Sequence, residues 1–299
     1  MHPVQPMDNV QEGYIQVTGG RVWYRIVGAN NKGIPLLVVH GGPGAPHDYL
    51  EPLEGLAGER PVVFYDQLGA GNSDNPDDGS LWTIERFVEE LVHVRSALKL
   101  ERVHILGQSW GGALVTEYML TRRPEGVASL VLSSPLLSAR RWMQDQQVYI
   151  AELPLETRRV IRESEASGNY DSPAYQEAMM EYYRLHVARV DPWPDYLNRA
   201  FEKLNLTVYQ CMWGPSEFTV TGTLKSFERV DRLKEITAPV LLTAGRYDEV
   251  PPATIQYFQS TLPNAEASIF EDASHEHHIE KTAEYLQVVG DFLRRVEGS

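Results

Sequence analysis

The sequence predicts an α/β fold in which helices cover a mostly parallel sheet and a helical segment is inserted late in the chain. Short continuous apolar runs alternate with segments of helical periodicity, and the runs end in Gly-rich or Asp-rich turns. Such runs are typical of strands buried on both faces, as in a parallel sheet. Four of them lie at residues 35–40, 61–66, 102–108 and 128–134.

Further elements extend this pattern towards both ends of the chain. Residues 14–28 alternate in polarity like a hairpin that turns at Gly19 and Gly20. Residues 83–98 carry an apolar stripe at helical spacing, which predicts a crossover helix. The later elements are strands at 238–245 and 266–272 and an amphipathic helix from about Thr282 to Val296.

Residues 137–222 differ in composition and hydrophobic pattern from the rest of the chain. They lack long apolar strands and are rich in Tyr, Trp, Met, Arg and Glu, which predicts helices. Ligands of open α/β sheets bind at the carboxyl ends of the strands, so an insertion at this point suits a cap over the binding site. We therefore predict a core formed by residues 1–136 and 223–299, with a helical cap at 137–222.

Composition excludes several classes of partner. The 299 residues carry a net charge of −14, which disfavours nucleic acid and anionic lipid and favours cationic or neutral ligands. No segment is long and apolar enough to span a membrane, and the amino terminus lacks the features of a signal peptide. The single cysteine, Cys211, is expected to be a buried, unreactive thiol. These features predict a cytoplasmic protein and leave its oligomeric state open.

The pentapeptide GQSWG, residues 107–111, is the strongest functional signal. It lies between an apolar strand and a helical stretch, the context of the nucleophile elbow of α/β hydrolases. A sharp turn there brings backbone segments too close for a β-carbon, which explains Gly107 and Gly111. The sequence therefore predicts the α/β-hydrolase fold, with Ser109 as the nucleophile.

A serine nucleophile needs a base, and the base needs a carboxylate to hold it. Asp248 follows the strand at 238–245, and His275 follows the strand at 266–272, so we predict these two as the partners of Ser109. Asp272 is a nearby alternative, but its place at the end of the strand, only three residues before His275, favours a turn. The histidines of HEHH do not form H-E-x-x-H because Ile279 stands at the last position, so neither metal nor organic cofactor is expected.

Backbone donors for the oxyanion of the tetrahedral intermediate are expected in HGGPG, residues 40–44, and directly after the nucleophile. The loop follows the strand at 35–40, and its glycines can turn their N–H groups towards the substrate, whereas Pro43 has none to offer. We predict that the amides of Gly42 and Trp110 form this hole.

Four motifs carry a closer resemblance. They are HGGPG at 40–44, FYDQLGAGNSD at 64–74, GQSWGG at 107–112 and GPSEFTVTGTL at 214–224. Together they resemble the proline iminopeptidase family of serine aminopeptidases, which includes the tricorn-interacting aminopeptidase and relatives that act on amino-acid amides. The resemblance covers nearly the whole chain, including the insertion.

The resemblance implies that carboxylates hold the free amino group of the substrate. The corresponding positions are Glu217, in the cap, and Glu249, directly after the predicted triad acid. An ammonium ion that leaves water must meet compensating charge, so this assignment is physically reasonable. This sequence departs from the pattern of its relatives at Trp110 and in the loop SHEHHIEK, and both departures could change the first subsite. Four aromatic residues of the cap could line this subsite or form the core of the cap: Trp142, Tyr149, Tyr209 and Trp213.

The predicted reaction is release of the amino-terminal residue of a small peptide or amino-acid amide through an acyl-enzyme on Ser109, with His275 as base and then acid. Two alternatives remain open at this point. One is an amidase or carboxylesterase of the same fold. The other is a non-catalytic receptor, because a fold alone does not determine function.

Overall fold

The central sheet has eight strands within residues 9–298, the part of the chain that the computed structural model describes. The first eight residues of the segment considered above for a signal peptide lie outside the described residues. The spatial order is β1-β2-β4-β3-β5-β6-β7-β8. The strands are β1 (Val10–Val17), β2 (Gly20–Val27), β3 (Leu36–Val39), β4 (Val62–Tyr65), β5 (Val103–Gln108), β6 (Val127–Ser133), β7 (Val240–Gly245) and β8 (Ala265–Phe270).

Strand pairing confirms a mostly parallel sheet. Strands β1 and β2 form the predicted antiparallel hairpin, in which Val17 pairs with Gly20 and Gly19 has a φ of 97°. Strand β2 also pairs antiparallel with β4, and all the remaining neighbours are parallel. Every residue of β3, β4, β5 and β7 is buried, as expected for strands covered by helices on both faces.

Helices pack on both faces of the sheet. The crossover helix α1 (Ile84–Ala97) is capped by Thr83, whose hydroxyl accepts a hydrogen bond from the amide of Arg86, and it buries the predicted apolar stripe. A 3₁₀ helix at His47–Gly58 was not predicted, because its Pro52 and Gly residues obscure any helical periodicity. The other flanking helices are α2 (Trp110–Arg122), α8 (Pro252–Thr261), α9 (His277–Glu280) and α10 (Thr282–Gly298).

The segment between β6 and β7 is helical, as its composition predicts. Its helices have their own apolar cluster, in which Ile161, Tyr175, Tyr182 and Phe218 are buried. The division of the chain at 137–222 stays a prediction. The helices are α3 (Ala139–Glu152), α4 (Leu155–Ser167), α5 (Pro173–His186), α6 (Asp195–Glu202) and α7 (Leu206–Met212).

The expectation of a buried thiol at Cys211 is wrong. Cys211 is exposed. Helix α7 turns Val208 and Met212, four residues apart, towards the interior, and this periodicity directs the intervening Cys211 towards solvent. Apolar neighbours in sequence misled the prediction because they lie on the opposite face. Across residues 9–298, none of the helices combines the length and apolar character needed to cross a bilayer.

Close backbone contacts around the elbow give a stability prediction. A β-carbon on Gly111 would lie 2.1 Å from the carbonyl oxygen of Val39, whereas one on Gly58 would meet nothing within 4 Å. We expect Gly111→Ala to lower the free energy of unfolding by about 2 kcal/mol or more. Gly58→Ala is the matched control and should change it by less than about 0.5 kcal/mol. Denaturant unfolding followed by circular dichroism measures both, and equal effects would contradict the packing argument.

Candidate active site

Ser109 lies at a strained turn between β5 and α2. Its backbone has φ 54° and ψ −119°, a conformation that residues other than glycine rarely adopt. The turn is tight because β-carbons on Gly107 and Gly111 would lie 2.5 Å and 2.1 Å from backbone oxygens. The amide of Ser109 donates to the carbonyl of Ser133 at the end of β6. This geometry raises the serine side chain above the carboxyl edge of the sheet.

His275 and Asp248 meet at the same edge, in the loops that follow β8 and β7. The Nδ1 atom of His275 lies 2.9 Å from Oδ1 of Asp248. Ser109 and His275 line one cavity, while Asp248 is fully buried behind the imidazole. The hydrogen bonds within residues 9–298 do not include one between Ser109 Oγ and His275, so this last link is open; catalytic hydrogen bonds are often long without substrate.

Asp248 is held in a fixed orientation by several donors. Its Oδ2 accepts from the hydroxyl of Ser134 at 2.5 Å and from the amide of Gly245 at 3.2 Å, and its Oδ1 accepts from the amide of Val250 at 2.9 Å. Burial alone would raise the pKa of Asp248, but His275 and these hydrogen bonds bring it below its usual value. Asp248 is therefore a permanent anion behind the imidazole.

The loop after β3 places the amide of Gly42 beside the cavity. The amide of Gly41 already donates to the hydroxyl of Tyr49 at 2.6 Å, and Tyr49 donates in turn to Oε1 of Gln108 at 2.7 Å. Gly42, with a φ of 103°, lines the cavity beside Ser109, and within residues 9–298 its amide has no acceptor. The first amides of a helix have no partner in the helix, which leaves that of Trp110 available.

The side chain of Trp110 does not line the cavity. Its ring is 1% exposed, packs edge-on against Phe87 and donates from Nε1 to Oε1 of Gln67 at 2.9 Å. The indole therefore belongs to the core beneath the elbow. Of the two departures noted in the sequence, only the loop SHEHHIEK contributes side chains to the cavity wall, at His275 and Glu276.

Glu249 is buried and Glu217 is half-buried, and both lie close to His275. Glu249 is 0% exposed, neither of its carboxylate oxygens has a hydrogen-bond partner among residues 9–298, and Oε2 lies 3.7 Å from Nδ1 of His275. Glu217 lines the cavity, and its Oε1 accepts from the hydroxyl of Tyr209 at 2.6 Å. Burial is the main cause that raises the pKa of both carboxyls, and their mutual repulsion raises the pKa of Glu249 further.

A further carboxylate, Glu276, was not singled out from the sequence. It lines the cavity next to His275, and its Oε2 is buried without a hydrogen-bond partner. Burial, together with neighbouring carboxylates, raises the pKa of Glu276 to about 8. The only available signal was its place in the unusual loop directly after the predicted histidine, because most glutamates are exposed.

These carboxylates dominate the electrostatics of His275. Burial disfavours the charged imidazole, but Asp248, followed by Glu249 and Glu276, outweighs it and raises the pKa of His275 to about 10. Among residues 9–298, no Lys or Arg forms an ion pair with Glu217, Glu249 or Glu276. The site therefore has more buried carboxylates than cations of its own.

The neighbouring histidines of HEHH take part in the fold. His277 contacts the hydroxyl of Thr243 at 2.9 Å through Nε2, and His278 contacts the carbonyl of Tyr49 at 3.0 Å. Burial lowers the pKa of His277 to about 4 and that of His278 to about 3, so both rings are neutral. Residues 9–298 contain no group of three or more potential ligands placed to hold a metal ion.

The four cap aromatics have different positions. Tyr209 lines the cavity. Trp142 donates from Nε1 to the carbonyl of Glu217 at 2.9 Å, and its ring meets those of His275 and Trp213 edge-on. Tyr149 stacks on His186, away from the cavity lining. Of these four rings, only that of Tyr209 lines the cavity, and that of Trp142 helps to hold Glu217 in place.

Comparison with known proteins agrees with the fold. A family model described as alpha/beta hydrolase fold matches residues 34–282. An esterase from Rhodococcus sp. ECU1013 superimposes with a TM-score of 0.68 at 19% identity, over 96% of this chain and 99% of that one, a likeness that concerns the fold alone. Fold and elbow together define the class: the chain is a serine hydrolase of the alpha/beta hydrolase fold.

Closer relatives narrow the class to a family. A proline iminopeptidase of Heyndrickxia coagulans is 46% identical over 95% of this chain and 99% of its own length, and one of Lactobacillus delbrueckii subsp. lactis is 40% identical over 95% and 98%. The crystal structure of the Mycobacterium smegmatis proline iminopeptidase superimposes with a TM-score of 0.88 at 38% identity, over 96% of this chain and 98% of that one. The chain belongs to the proline iminopeptidase family.

The adjacent acids at 248 and 249 should have opposite effects on stability. The pKa of Glu249 is raised by folding, so the folded state retains a proton that the unfolded chain releases, and stability falls as pH rises above about 4.5. We expect Glu249→Gln to remove this dependence and to raise the free energy of unfolding at pH 8 by about 1 kcal/mol or more, the equivalent of roughly one pKa unit.

Asp248→Asn is the matched control. The pKa of Asp248 is lowered by folding, so its carboxylate stabilises the protein above the unfolded pKa, and the amide should reduce the free energy of unfolding at pH 8. Denaturant unfolding at pH 5 and pH 8 measures both variants. A loss of stability in Glu249→Gln that does not change with pH would contradict this account of the site.

Proposed function

We propose that this chain is a serine aminopeptidase that releases the amino-terminal residue of small peptides or amino-acid amides bearing a free amino group. The observation that carries the proposal is the buried carboxylate of Glu249, which has no hydrogen-bond partner among residues 9–298 and lies 3.7 Å from the imidazole of His275. A desolvated carboxylate beside a nucleophile is costly unless a ligand supplies the opposite charge.

The chemistry of the cavity supports an ammonium ion as that ligand. Glu217 lines the cavity together with His275, and Oε2 of Glu249 lies 3.7 Å from Nδ1 of His275, so a cation shared by the two carboxylates would lie beside the imidazole. Only the first residue of a peptide carries an α-ammonium, and an internal residue would leave the two carboxylates unpaired. Cleavage is therefore restricted to the amino-terminal bond.

Ser109, His275 and Asp248 supply the reaction steps of this proposal. His275 takes the proton of the Ser109 hydroxyl as its oxygen attacks the carbonyl of the first residue, and the amides of Gly42 and Trp110 stabilise the resulting oxyanion. His275 then protonates the leaving amine. Water, activated by the same imidazole, hydrolyses the acyl-enzyme, and Asp248 keeps the ring in one orientation throughout.

Binding of the substrate cation also prepares the base. In the free enzyme the carboxylates around His275 raise its pKa to about 10, which favours the protonated imidazole over the neutral base. An ammonium ion between Glu217 and Glu249 offsets their charge and lowers this pKa. The enzyme thus acquires its base mainly when a substrate with a free amino group is bound.

The single cysteine leaves no pair for an intramolecular disulfide, which suits a reducing compartment. On this ground we propose that the enzyme acts in the cytoplasm.

Aminoacyl anilides with free and acetylated amino groups test the proposal. Wild type should hydrolyse the free anilides, and acetylation should lower kcat/KM by about 100-fold or more, the equivalent of about 3 kcal/mol of lost charge pairing. Ser109→Ala should abolish turnover without loss of the fold. Glu217→Gln should chiefly raise KM for the free anilide, because it weakens capture of the ammonium. Equal turnover of free and acetylated substrates would identify an esterase or general amidase instead.

The protonation state of His275 gives a second test. Nitrogen NMR of histidine-labelled enzyme, assigned with His275→Gln, should find His275 protonated at both nitrogens at pH 7.5 in the free enzyme. Alaninamide, a cationic ligand, should lower its pKa, as should Glu249→Gln, which removes one of the carboxylates that raise it. His277 and His278 serve as internal references and should remain neutral. A His275 that titrates near its ordinary value of about 6.5 would overturn the substrate-dependent base.

A further inference from the structure

Glu276 is a buried carboxylate to which the proposed reaction gives no role. It is 6% exposed, and it follows His275 in the loop after β8. The loop is tied to the end of α5, because the amides of His275 and Glu276 donate to the carbonyls of His186 and Val187 at 3.0 and 2.9 Å. These bonds hold the backbone from which the Glu276 side chain extends.

Its surroundings within residues 9–298 do not satisfy this carboxylate. Oε2 is buried without a hydrogen bond. It lies 3.5 Å from Nε2 of His278, but that nitrogen lies 3.0 Å from the carbonyl oxygen of Tyr49 and bonds to it instead. Glu280, four residues later, is different: it accepts hydrogen bonds from the amides of Ser274 and Arg189 and from the hydroxyl of Ser274. Glu280 stabilises the loop, whereas Glu276 contributes no such bond.

The cavity beside Glu276 combines an acidic end with an apolar wall. Val187, together with Leu197, Ala200, Phe201 and Leu204 in and after α6, lines the cavity that Ser109, His275 and Glu276 share. Aliphatic stems of basic side chains pack against such surfaces while their charged ends reach polar groups. The wall and the carboxylate are therefore complementary to an ammonium carried on a methylene chain.

Charge balance leads to the same ligand. Asp248 is paired with His275. On the proposed function, Glu217 and Glu249 share the α-ammonium of the substrate, and Glu276 is left over. Burial raises the pKa of Glu276 to about 8, so a cation placed beside it would stabilise the ionised carboxylate at neutral pH.

We propose that Glu276 is a specificity-determining residue that binds a second cationic group of the substrate, carried on an aliphatic stem. The inference rests on the proposed aminopeptidase function and adds to it a class of substrate with two positive charges. The second charge belongs to the side chain of the first residue or of the residue that follows the cleaved bond.

Two pairs of substrates test the inference. Ornithine p-nitroanilide and norleucine p-nitroanilide differ only by an ammonium in place of a methyl group on the first residue. The dipeptide amides Ala-ornithine and Ala-norleucine place the same difference after the cleaved bond. In at least one pair, wild type should favour the ornithine member about tenfold or more in kcat/KM, as expected for a charge-assisted hydrogen bond.

Variants at Glu276 connect this preference to the carboxylate. Glu276→Gln should reduce the preference to about twofold or less, which corresponds to loss of nearly all of a charge-assisted contact. The readout is a ratio within one enzyme preparation, so it does not depend on the active fraction. Glu284→Gln removes an exposed carboxylate in α10 and should leave the ratio unchanged.

Glu276→Asp keeps the charge and withdraws it by one methylene. Across diaminobutyrate, ornithine and lysine, it should shift the preferred stem to one methylene longer, a result that simple loss of packing would not produce. The inference is overturned if wild type shows no preference in either pair, or if Glu276→Gln retains the wild-type ratio. If wild type hydrolyses none of the substrates, the aminopeptidase proposal fails; hydrolysis of norleucine anilide without a preference refutes only the role of Glu276.

Discussion

The surplus of buried negative charge around His275 is the constraint on which the rest of the site depends. Asp248, Glu249, Glu217 and Glu276 surround one imidazole, and among residues 9–298 no Lys or Arg forms an ion pair with the three glutamates. Desolvated carboxylates this close together repel one another and resist ionisation. The excess of carboxylates contributes to the raised pKa values of Glu249 and Glu276 and raises the pKa of His275. A cationic ligand relieves it.

The sheet is what makes such an arrangement possible. Ser109, Asp248 and His275 are far apart in sequence, but each follows a strand, and parallel strands end at one edge. Backbone hydrogen bonds and glycine contacts hold these loops rigidly enough to keep like charges together. The stability of the fold thus offsets the repulsion between the carboxylates of the site, a trade-off common at functional sites.

The cavity has two chemically distinct parts, and together they describe a ligand. Carboxylates at one end demand positive charge, whereas the wall formed by α6 and its neighbours offers only apolar contact. Rings of the inserted segment, such as Trp142 and Tyr209, connect the two parts by holding Glu217 in place. Selectivity for amino-terminal residues then follows from the positions of the carboxylates. The geometry of the nucleophile elbow does not provide it, because all serine hydrolases of this fold share that geometry.

The sequence by itself determined the α/β class, the order of strands and crossover helix, the elbow at Ser109 and the family, because these depend on local periodicity, on glycines at tight turns and on contiguous motifs. It also pointed to Asp248, His275, Glu217 and Glu249, since strand ends and motif positions can be read along the chain. Only the tertiary structure decided that Trp110 packs in the core, that Cys211 faces solvent and that Glu276 lines the cavity with an Oε2 that accepts no hydrogen bond from residues 9–298. Burial and hydrogen-bond partners come from segments distant in the chain, and no local pattern records them.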